Sequence, residues 1–403
     1  MTTTERNQRN WIELERKYYQ STFKRQPITL VRGSGTRVWD SDGKVYIDFV
    51  AGIAVNVLGH CHPAVIQAVQ EQVTQLVHVS NLYYNVRQIE LAEQLANVSG
   101  GMRSFFSNSG AEANEGAIKL ARKYGRTHRN GAYEIISVKN SFHGRTLATT
   151  AATGQDFYKA SWGKPLPEGF TQVPFNDLPA IKAATSDKTT AILVEAVQGE
   201  GGIWPTSQEY MQGLRQWCDE QNLVLICDEV QAGMGRTGTF FSWEHYGIRP
   251  DIVTMAKGLA GGIPIGAMLT GPRTDLFVAG EHGTTFGGNP IASAAGTATV
   301  KTILSEKLLD NAQKMGDYWK SKLDELCAKY DFIDSPRGLG LMRAVHVKHD
   351  LATQIVQKAM EHGLLLNSTA PDTLRMIPPL ILTQADIDEA AELLDRTLAD
   401  VTK

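Results

Sequence analysis

The chain has 403 residues, of which 42% are hydrophobic and 21% are charged, and its formal net charge at pH 7 is -3. This length allows two or more domains and a large core, whereas the near-neutral charge without a basic cluster argues against nucleic-acid binding. No apolar run approaches the roughly 18 residues of a membrane span, and residues 1–6 are too polar for a signal peptide. We therefore predict a cytoplasmic protein. Its cysteines form no CxxC pair and are predicted to be free thiols: Cys61, Cys218, Cys227 and Cys327.

The N-terminal part of the chain predicts a helix, a hairpin and a second helix. The aromatic-rich segment over residues 1 to about 30 is predicted to be helical, and it would cover a partner surface or the chain's own body. Two extended runs, 37–40 and 44–49, flank an Asp-Gly pair, which is a strong hairpin signal. His60 and His62 precede a helix predicted over 64 to about 76. A metal would need a third ligand, so turn and helix-cap roles are favoured and we predict no metal site.

From about residue 85, predicted strands alternate with predicted helices, and this pattern indicates a mostly parallel α/β sheet with right-handed crossovers. The predicted strands cover 103–106, 134–138, 191–194, 223–227, 252–256 and 266–270. Beyond about residue 290, two long helices are followed by short strands and two further helices, which is typical of a small α+β domain. We predict three parts: an N-terminal segment (1–60) that packs with the small domain, a large α/β domain (61–299) and a small C-terminal domain (300–403).

Two apolar runs end on charged residues. The run 223–227 ends on Asp228, and the run 252–256 ends on Lys257. Ligands bind beyond the carboxyl ends of parallel strands, where both side chains are expected. An exposed lysine at a strand end is common, but the glycine-rich loop 258–262 lets another group approach closely. A lysine in a partly desolvated pocket loses its proton more easily and can form a Schiff base with an aldehyde.

The segment Ser109-Gly110-Ala111 stands between a predicted strand and a predicted helix. Free N–H groups at a helix start form an anion site, although plain helix capping by the serine is an alternative. The loop is neither a Walker loop nor a dinucleotide fingerprint. A lysine, a carboxylate for a cationic ring nitrogen and a phosphate cup together describe a pyridoxal 5'-phosphate site. Asp228 would keep the ring nitrogen protonated, and Lys257 would move the proton between carbon atoms.

At these positions the chain resembles the class III aminotransferases of pyridoxal-phosphate fold type I. The resemblance covers nearly the whole chain and implies an α/β fold, with a mostly parallel seven-stranded sheet in a large domain beside a small α+β domain. It rests on six stretches in order: 108–115 (NSGAEANE), 142–146 (FHGRT), 195–202 (EAVQGEGG), 228–231 (DEVQ), 256–258 (AKG) and 284–290 (TTFGGNP).

The resemblance also implies roles in cofactor binding. Lys257 would form the imine with the cofactor, and Asp228 would contact its pyridine nitrogen. Phe142 would stack on the ring, and Gln231 would reach its phenolic oxygen. Thr285 would reach the phosphate of a neighbouring subunit, which implies a homodimer with shared active sites. The residues implied to hold the phosphate within the chain are Ser109, Gly110 and Ala111.

Substrate-binding residues follow from the same resemblance. Arg145 would hold a distal carboxylate of both substrates through a bidentate pair. Arg375 would bind the second carboxylate of 2-oxoglutarate, and Glu200 would mask Arg375 while the amine donor is bound. Glu195 follows a buried strand and would bind substrate or orient neighbouring groups. Tyr83 would line the entrance, with ordinary packing as the alternative, and His143 is interpreted as structural.

Within the family, three further runs resemble the members that act on N2-acetyl-ornithine in arginine biosynthesis: 51–56, 78–84 and 261–269. Donors such as 4-aminobutyrate, succinylornithine, ornithine and lysine-pathway amines stay open, although no tyrosine stands near Gly52 as in ornithine aminotransferases. Another pyridoxal-phosphate reaction, such as decarboxylation or racemisation, is disfavoured by the two arginines and Glu200. A non-catalytic scaffold is disfavoured by Lys257 with Asp228.

Overall fold

The computed structural model describes residues 10–401. Its strands in chain order are β1 (Leu30–Ser34), β2 (Arg37–Asp40), β3 (Val45–Asp48), β4 (Arg103–Ser107), β5 (Glu134–Val138), β6 (Phe170–Val173), β7 (Thr189–Val194), β8 (Val197–Gln198), β9 (Trp204–Pro205), β10 (Val224–Asp228), β11 (Ile252–Met255), β12 (Gly266–Thr270), β13 (Ile333–Leu339), β14 (Met342–Val347), β15 (Leu364–Leu365), β16 (Asn367–Ala370) and β17 (Thr373–Met376). Its α-helices are α1 (Trp11–Tyr18), α2 (Pro63–Val73), α3 (Val86–Val98), α4 (Gly110–His128), α5 (Leu147–Ala152), α6 (Asp156–Ala160), α7 (Leu178–Ala184), α8 (Gln208–Glu220), α9 (Pro290–Ser305), α10 (Leu308–Lys329), α11 (Ala352–His362) and α12 (Gln384–Val401).

The central sheet has seven strands in the order β4-β12-β11-β10-β7-β5-β6. Strand β12 runs antiparallel to both neighbours, whereas the pairs from β11 through β6 are parallel. Every residue of β7, β10 and β11 is buried, because helices cover both faces of such a sheet and both faces of its strands are apolar. The predicted mostly parallel seven-stranded sheet is confirmed. Edge strand β6 is not predicted from the sequence, because its Phe-Thr-Gln-Val segment is short and half polar.

Helices α4 and α8 lie on opposite faces of this sheet. Alternate residues of β10 show this, because Val224 and Ile226 pack in the cluster that contains the buried side of α4, whereas Leu225 and Cys227 pack with α8. Small residues on α4 let it approach closely, and a Cβ added to Gly125 would collide with the carbonyl of Ala132. The start of α4 lies at the carboxyl end of β10, because Asn114 near the start of the helix donates to Asp228, the last residue of that strand.

Two smaller sheets connect the ends of the chain. Strands β1, β2 and β3 form an antiparallel meander, which confirms the predicted hairpin, and β15 adds to it in parallel with β3. Strands β13, β14, β17 and β16 form a separate antiparallel sheet. Arg37 on β2 forms ion pairs with Asp386 and Glu389 on α12. These contacts join the N-terminal strands to the C-terminal part, as the predicted three-part division expects. The boundary predicted at 299/300 lies inside α9, and the division itself stays a prediction.

The N-terminal helix is shorter than predicted. Within the described chain it covers Trp11–Tyr18, and residues 19–29 are not helical; residues 1–9 lie outside the described part. Tyr19 adopts an extended conformation at the helix end. The following residues offer no helical apolar repeat, and Pro27 disfavours helical backbone at the residue before it. Helix α1 has no buried residue.

The predictions about thiols agree with the structure. All four cysteines are free; Cys218 and Cys227 are buried and Cys61 is exposed. Among residues 10–401, no helix combines the length and the apolar character that crossing a membrane demands.

Candidate active site

The carboxylate of Asp228 is fixed by three donors at the end of β10. The residue is 3% exposed. Its Oδ2 accepts hydrogen bonds from Asn114 Nδ2 and His143 Nδ1, each at 2.8 Å, and its Oδ1 accepts one from the Val230 N–H at 3.0 Å. Asn114 is itself oriented because its Oδ1 accepts from the Thr254 hydroxyl at 2.8 Å. His143 therefore has a definite role beside Asp228, which the sequence analysis did not assign.

Lys257 lies two residues after the last residue of β11 and begins a short 3-10 turn, Lys257–Ala260. Its φ of 43° is uncommon for a residue with a side chain. The next residue must be glycine, because a Cβ on Gly258 would lie 2.6 Å from Val57 Cγ1. Burial lowers the pKa of Lys257, while the carboxylate of Glu200 opposes this effect. Loss of the amine proton is therefore easier than for a solvated lysine, as a nucleophilic amine requires.

A cavity of about 390 Å³ lies between these two side chains and the start of α4. Ser109 caps α4, because its hydroxyl accepts the Glu112 N–H at 3.2 Å. Gly110 leaves room for the methyl groups of Val230, which a Cβ would approach to 2.8 Å. The predicted cofactor residues that line this cavity are Ser109, Gly110, Ala111, Phe142, Asp228 and Lys257, and Asn108, Asn114, His143 and Arg145 also line it.

Arg145 lies at the cavity with its guanidinium against two aromatic rings. Its Cζ is 4.0 Å from the ring centroid of Tyr158 and 5.5 Å from that of Phe142. Within residues 10–401 this exposed guanidinium forms no ion pair, so it is available to an incoming carboxylate. Tyr158 is a site residue that the sequence analysis missed, since it lies outside the six stretches on a short helix that carries no motif.

Arg375 and Glu200 form a buried ion pair. Arg375 on β17 is 1% exposed, and its Nη1 lies 2.7 Å from Glu200 Oε1. Its Nε and Nη2 donate to Asn367 Oδ1 at 3.1 and 2.6 Å. Burial alone would raise the pKa of Glu200, but the charges of Arg375 and Lys257 prevail and lower that pKa to about 2. The pair that the resemblance implied is present in the structure.

Gln231 lies beside this pair. Its Nε2 donates to Glu200 Oε1 at 3.0 Å, and its Oε1 accepts from Arg375 Nη1 at 3.1 Å. Gln231 is absent from the cavity lining, and its implied contact with the phenolic oxygen stays a prediction. Gly199 is required at this point, because a side chain there would collide with the amide of Gln231.

Glu195 connects Phe142 to the loop that carries Glu200. Its Oε2 accepts the Phe142 N–H and its Oε1 accepts the Gly199 N–H, both at 3.1 Å. Burial raises the pKa of Glu195. This geometry favours an orienting role over direct contact with substrate.

Tyr83 and Thr285 do not line the cavity within one chain. Tyr83 is 72% exposed and Thr285 is also exposed. Their segments are adjacent, because Asn81 Nδ2 donates to the Thr284 carbonyl at 3.0 Å. The roles implied for both residues stay predictions that require a second subunit.

The segment before His60 has unusual backbone. Residues Ala51–Ala54 all have positive φ, including the β-branched Ile53 at 64°, which is a genuine outlier. Asp48 anchors this left-handed turn through its Oδ1, which accepts the N–H groups of Val50 and Ala51. Its Oδ2 lies 2.7 Å from His60 Nε2. The turn leads directly into Val55, which lines the cavity.

The two histidines have structural partners. His60 pairs with Asp48, and His62 caps α2 by accepting the Ala64 N–H at 3.3 Å. In the described part of the chain, no group of three or more His, Cys, Asp or Glu side chains is arranged to hold a metal ion.

The chain is similar to known proteins over nearly its whole length. Residues 18–398 match the family model described as aminotransferase class-III. The chain belongs to the class III aminotransferase family. The acetylornithine aminotransferase of Caldanaerobacter subterraneus subsp. tengcongensis is 50% identical over 391 residues, which are 97% of this chain and 99% of that protein. The protein of the same name from Methanocaldococcus jannaschii is 49% identical over 401 residues, covering 98% of this chain and 100% of that protein.

Solved structures of transaminases are similar over the whole fold. The ornithine aminotransferase of Toxoplasma gondii superimposes with a TM-score of 0.94 at 31% identity and covers 100% of this chain and 96% of that one. The acetylornithine aminotransferase of Elizabethkingia anophelis gives a TM-score of 0.87 at 31% identity, covering 97% and 98%. The fold is therefore that of fold type I, and the protein is a transaminase.

The cofactor of the enzyme is pyridoxal 5'-phosphate, and the cavity fits it. The cavity is lined by Phe142, by the start of α4 and by two groups suited to the cofactor. These are the amine of Lys257, whose pKa is lowered, and the buried carboxylate of Asp228. Lys257 would bond the aldehyde carbon, Asp228 would hold a proton on the ring nitrogen, and the first turn of α4 would bind the phosphate. When bound, the cofactor supplies an electron-accepting ring for the carbon that loses its proton.

Proposed function

We propose that the enzyme transfers the ω-amino group of N2-acetyl-L-ornithine to 2-oxoglutarate, releasing N-acetylglutamate 5-semialdehyde and L-glutamate in arginine biosynthesis. The observation that carries the proposal is the pairing of Arg375 with Glu200 while Arg145 stays unpaired. The names of the relatives, acetylornithine aminotransferases at 46–50% identity, support the choice of donor.

The two substrates set different demands on one pocket. The reacting carbon of an ω-amine carries no carboxylate, whereas that of 2-oxoglutarate does. Arg145 binds the distal carboxylate of either substrate as a bidentate partner. Arg375 must bind a second carboxylate for 2-oxoglutarate alone, and Glu200 neutralises it for the amine donor. This alternation supports a transaminase that uses an ω-amino donor and an α-keto acid, and it disfavours decarboxylation or racemisation.

Lys257 and Asp228 carry the chemical step. With the cofactor bound, the free amine of Lys257 would remove the proton from the donor carbon that carries the amino group and, as general acid, deliver it to the carbon that was the cofactor's aldehyde carbon. Asp228 maintains positive charge on the ring nitrogen, and its donors Asn114 and His143 hold the carboxylate in place. Positioning residues of this kind act through the orientation of the group that they contact.

The proposal includes a homodimer with shared active sites. The segment around Tyr83 exposes large apolar side chains, with Leu82 and Tyr84 as its most exposed members, and Phe286 is exposed beside Thr285. Exposed apolar patches mark interaction surfaces, so we infer that a second copy covers them and that Thr285 reaches the partner's phosphate site. Sedimentation equilibrium tests this part, and a fully active monomer contradicts it. The free thiols support a cytoplasmic location.

A panel of amine donors with 2-oxoglutarate as acceptor tests the substrate. The panel contains N2-acetylornithine, ornithine, succinylornithine, 4-aminobutyrate and lysine-pathway amines, and glutamate formation is measured for each. We expect the highest kcat/KM for N2-acetylornithine. A preference of more than about tenfold for another donor, roughly 1.4 kcal/mol in the barrier, rejects the proposed donor in favour of that amine.

A further inference from the structure

Glu200 lines a second cavity, which shares no lining residue with the first. It has a volume of about 370 Å³ and lies between the Glu200 loop and the sheet of β13, β14, β17 and β16. Its wall is polar, and the residues on which the following argument depends are Glu200, Trp204, Arg337, Thr369 and Thr373.

Arg337 in this wall has an unused donor. Its Nε donates to the Gly202 carbonyl at 2.8 Å and its Nη2 to the Thr373 hydroxyl at 3.3 Å, while its guanidinium stacks 4.1 Å from the ring centroid of Trp204. Its Nη1 is buried and has no hydrogen-bond partner in the described chain, and neither has the hydroxyl of Thr369. A buried donor without an acceptor is unfavourable.

The other carboxylates on this wall are already engaged. Asp334 pairs with His346 at 3.1 Å and with Lys348 at 3.7 Å. Asp372 accepts the Thr373 hydroxyl at 2.9 Å. Arg337 forms no ion pair with any described residue. Among the carboxylates that line the cavity, Glu200 is the one that must change its partner in the proposed reaction.

We propose that Arg337 is the second partner of the Glu200 carboxylate. When 2-oxoglutarate binds Arg375, Glu200 turns from Arg375 into the second cavity and accepts a hydrogen bond from Arg337. A carboxylate that left Arg375 without a new partner would be a partly buried unpaired charge, which is strongly unfavourable. Pairing with Arg337 removes that penalty and satisfies the unused donor. This inference rests on the proposed function, in which Glu200 leaves Arg375 in the second half-reaction.

A double-mutant cycle between Arg337→Met and Glu200→Gln tests it in the holoenzyme. Alone, Arg337→Met should raise KM for 2-oxoglutarate about tenfold, about 1.4 kcal/mol, and change kcat/KM for the amine-donor half-reaction by less than about twofold. With Glu200→Gln present, Arg337→Met should change KM for 2-oxoglutarate by less than about twofold, because there is no charge left to receive. Arg32→Met is the matched control, because Arg32 also stacks on a tryptophan, with its Cζ 4.4 Å from the ring centroid of Trp39, and is far from the site in sequence. This control should change neither KM for 2-oxoglutarate nor kcat/KM for the amine donor.

The outcomes separate a positioning role from a structural one. An equal rise in KM for 2-oxoglutarate in both Glu200 backgrounds, or an equal loss for both half-reactions, overturns the proposal. Arg337→Lys covers the case in which the methionine variant does not fold: it keeps the charge but not the planar fork. We expect Arg337→Lys to raise KM for 2-oxoglutarate about threefold when Glu200 is present and to leave it unchanged in the Glu200→Gln background. Equal rises of this KM in both backgrounds again overturn the proposal. If the wild-type enzyme does not use 2-oxoglutarate, the proposed function itself fails, which is a separate result.

Discussion

Replacing Glu200 by Gln removes the charge that masks Arg375 and leaves the side-chain shape almost unchanged. The pKa of Glu200 lies at about 2, compared with an ordinary value of 4.5, and each pKa unit corresponds to about 1.4 kcal/mol, so the ionised form is stabilised by roughly 3 kcal/mol. Arg375 and Lys257 share this effect. We assign roughly 2 kcal/mol to Arg375, which corresponds to about thirtyfold in kcat/KM.

The affected quantity is the preference for an ω-amine over an α-amino acid. In wild-type enzyme, the α-carboxylate of L-glutamate must displace Glu200 to reach Arg375, and in the variant it meets an unpaired guanidinium. The ratio of kcat/KM for N2-acetylornithine to that for L-glutamate, each measured in a single half-reaction, should fall about thirtyfold. Glu209→Gln makes the same change at an exposed position of α8 and should leave the ratio unaltered. A Glu200→Gln ratio within about threefold of wild type refutes the masking role.

Further outcomes follow from the same geometry. Because the pKa of Glu200 is lowered, its carboxylate stays ionised above about pH 2, and the ω/α preference should be constant between about pH 5 and pH 8; a loss of preference near pH 5 contradicts this. Lys257→Ala should lower the steady-state rate of glutamate formation by at least about 10³-fold. Asp228→Asn should lower kcat about 10²-fold with unchanged far-UV circular dichroism. Tyr158→Ala should raise KM for both substrates about threefold, since Arg145 loses an aromatic support of roughly 0.5–1 kcal/mol, whereas Tyr158→Phe should not.

The residues that the sequence located best stand where local signals are strong. Asp228 and Lys257 each follow an unbroken apolar run, and such runs become buried parallel strands whatever the rest of the chain does. Adjacent pairing of β10 and β11 then brings their carboxyl ends together, with Asp228 beside Thr254. Ser109 stands before a long helix and is a favoured cap, so its position at the helix start is also a local property.

The network around these residues depends on contacts that no local pattern encodes. Asn114 and His143 reach Asp228 across sequence separations of 114 and 85 residues. Both lie in stretches that the resemblance quoted, yet their partner became visible only when α4 was placed on the sheet. Tyr158 supports Arg145 from a five-residue helix without apolar periodicity. Helix α1 is shorter than predicted because aromatic content alone does not determine where a helix ends.

Burial and hydrogen bonding favour Glu200 over Arg375 as the mobile partner in the proposed switch. Arg375 is almost fully buried and held by Asn367, and Arg236, in the loop after β10, bonds to the chain next to the strand that carries it. The fully buried guanidinium of Arg236 donates to the carbonyls of Leu341, which precedes β14, and Pro378, two residues after β17. Displacing Arg375 would break its own bonds to Asn367 in the interior. The side chain of Glu200 is 21% exposed and lines the second cavity. In the proposed switch we therefore expect Glu200 to rotate against a fixed Arg375, and substitutions that loosen β17 should weaken binding of 2-oxoglutarate without altering how Glu200 is displaced.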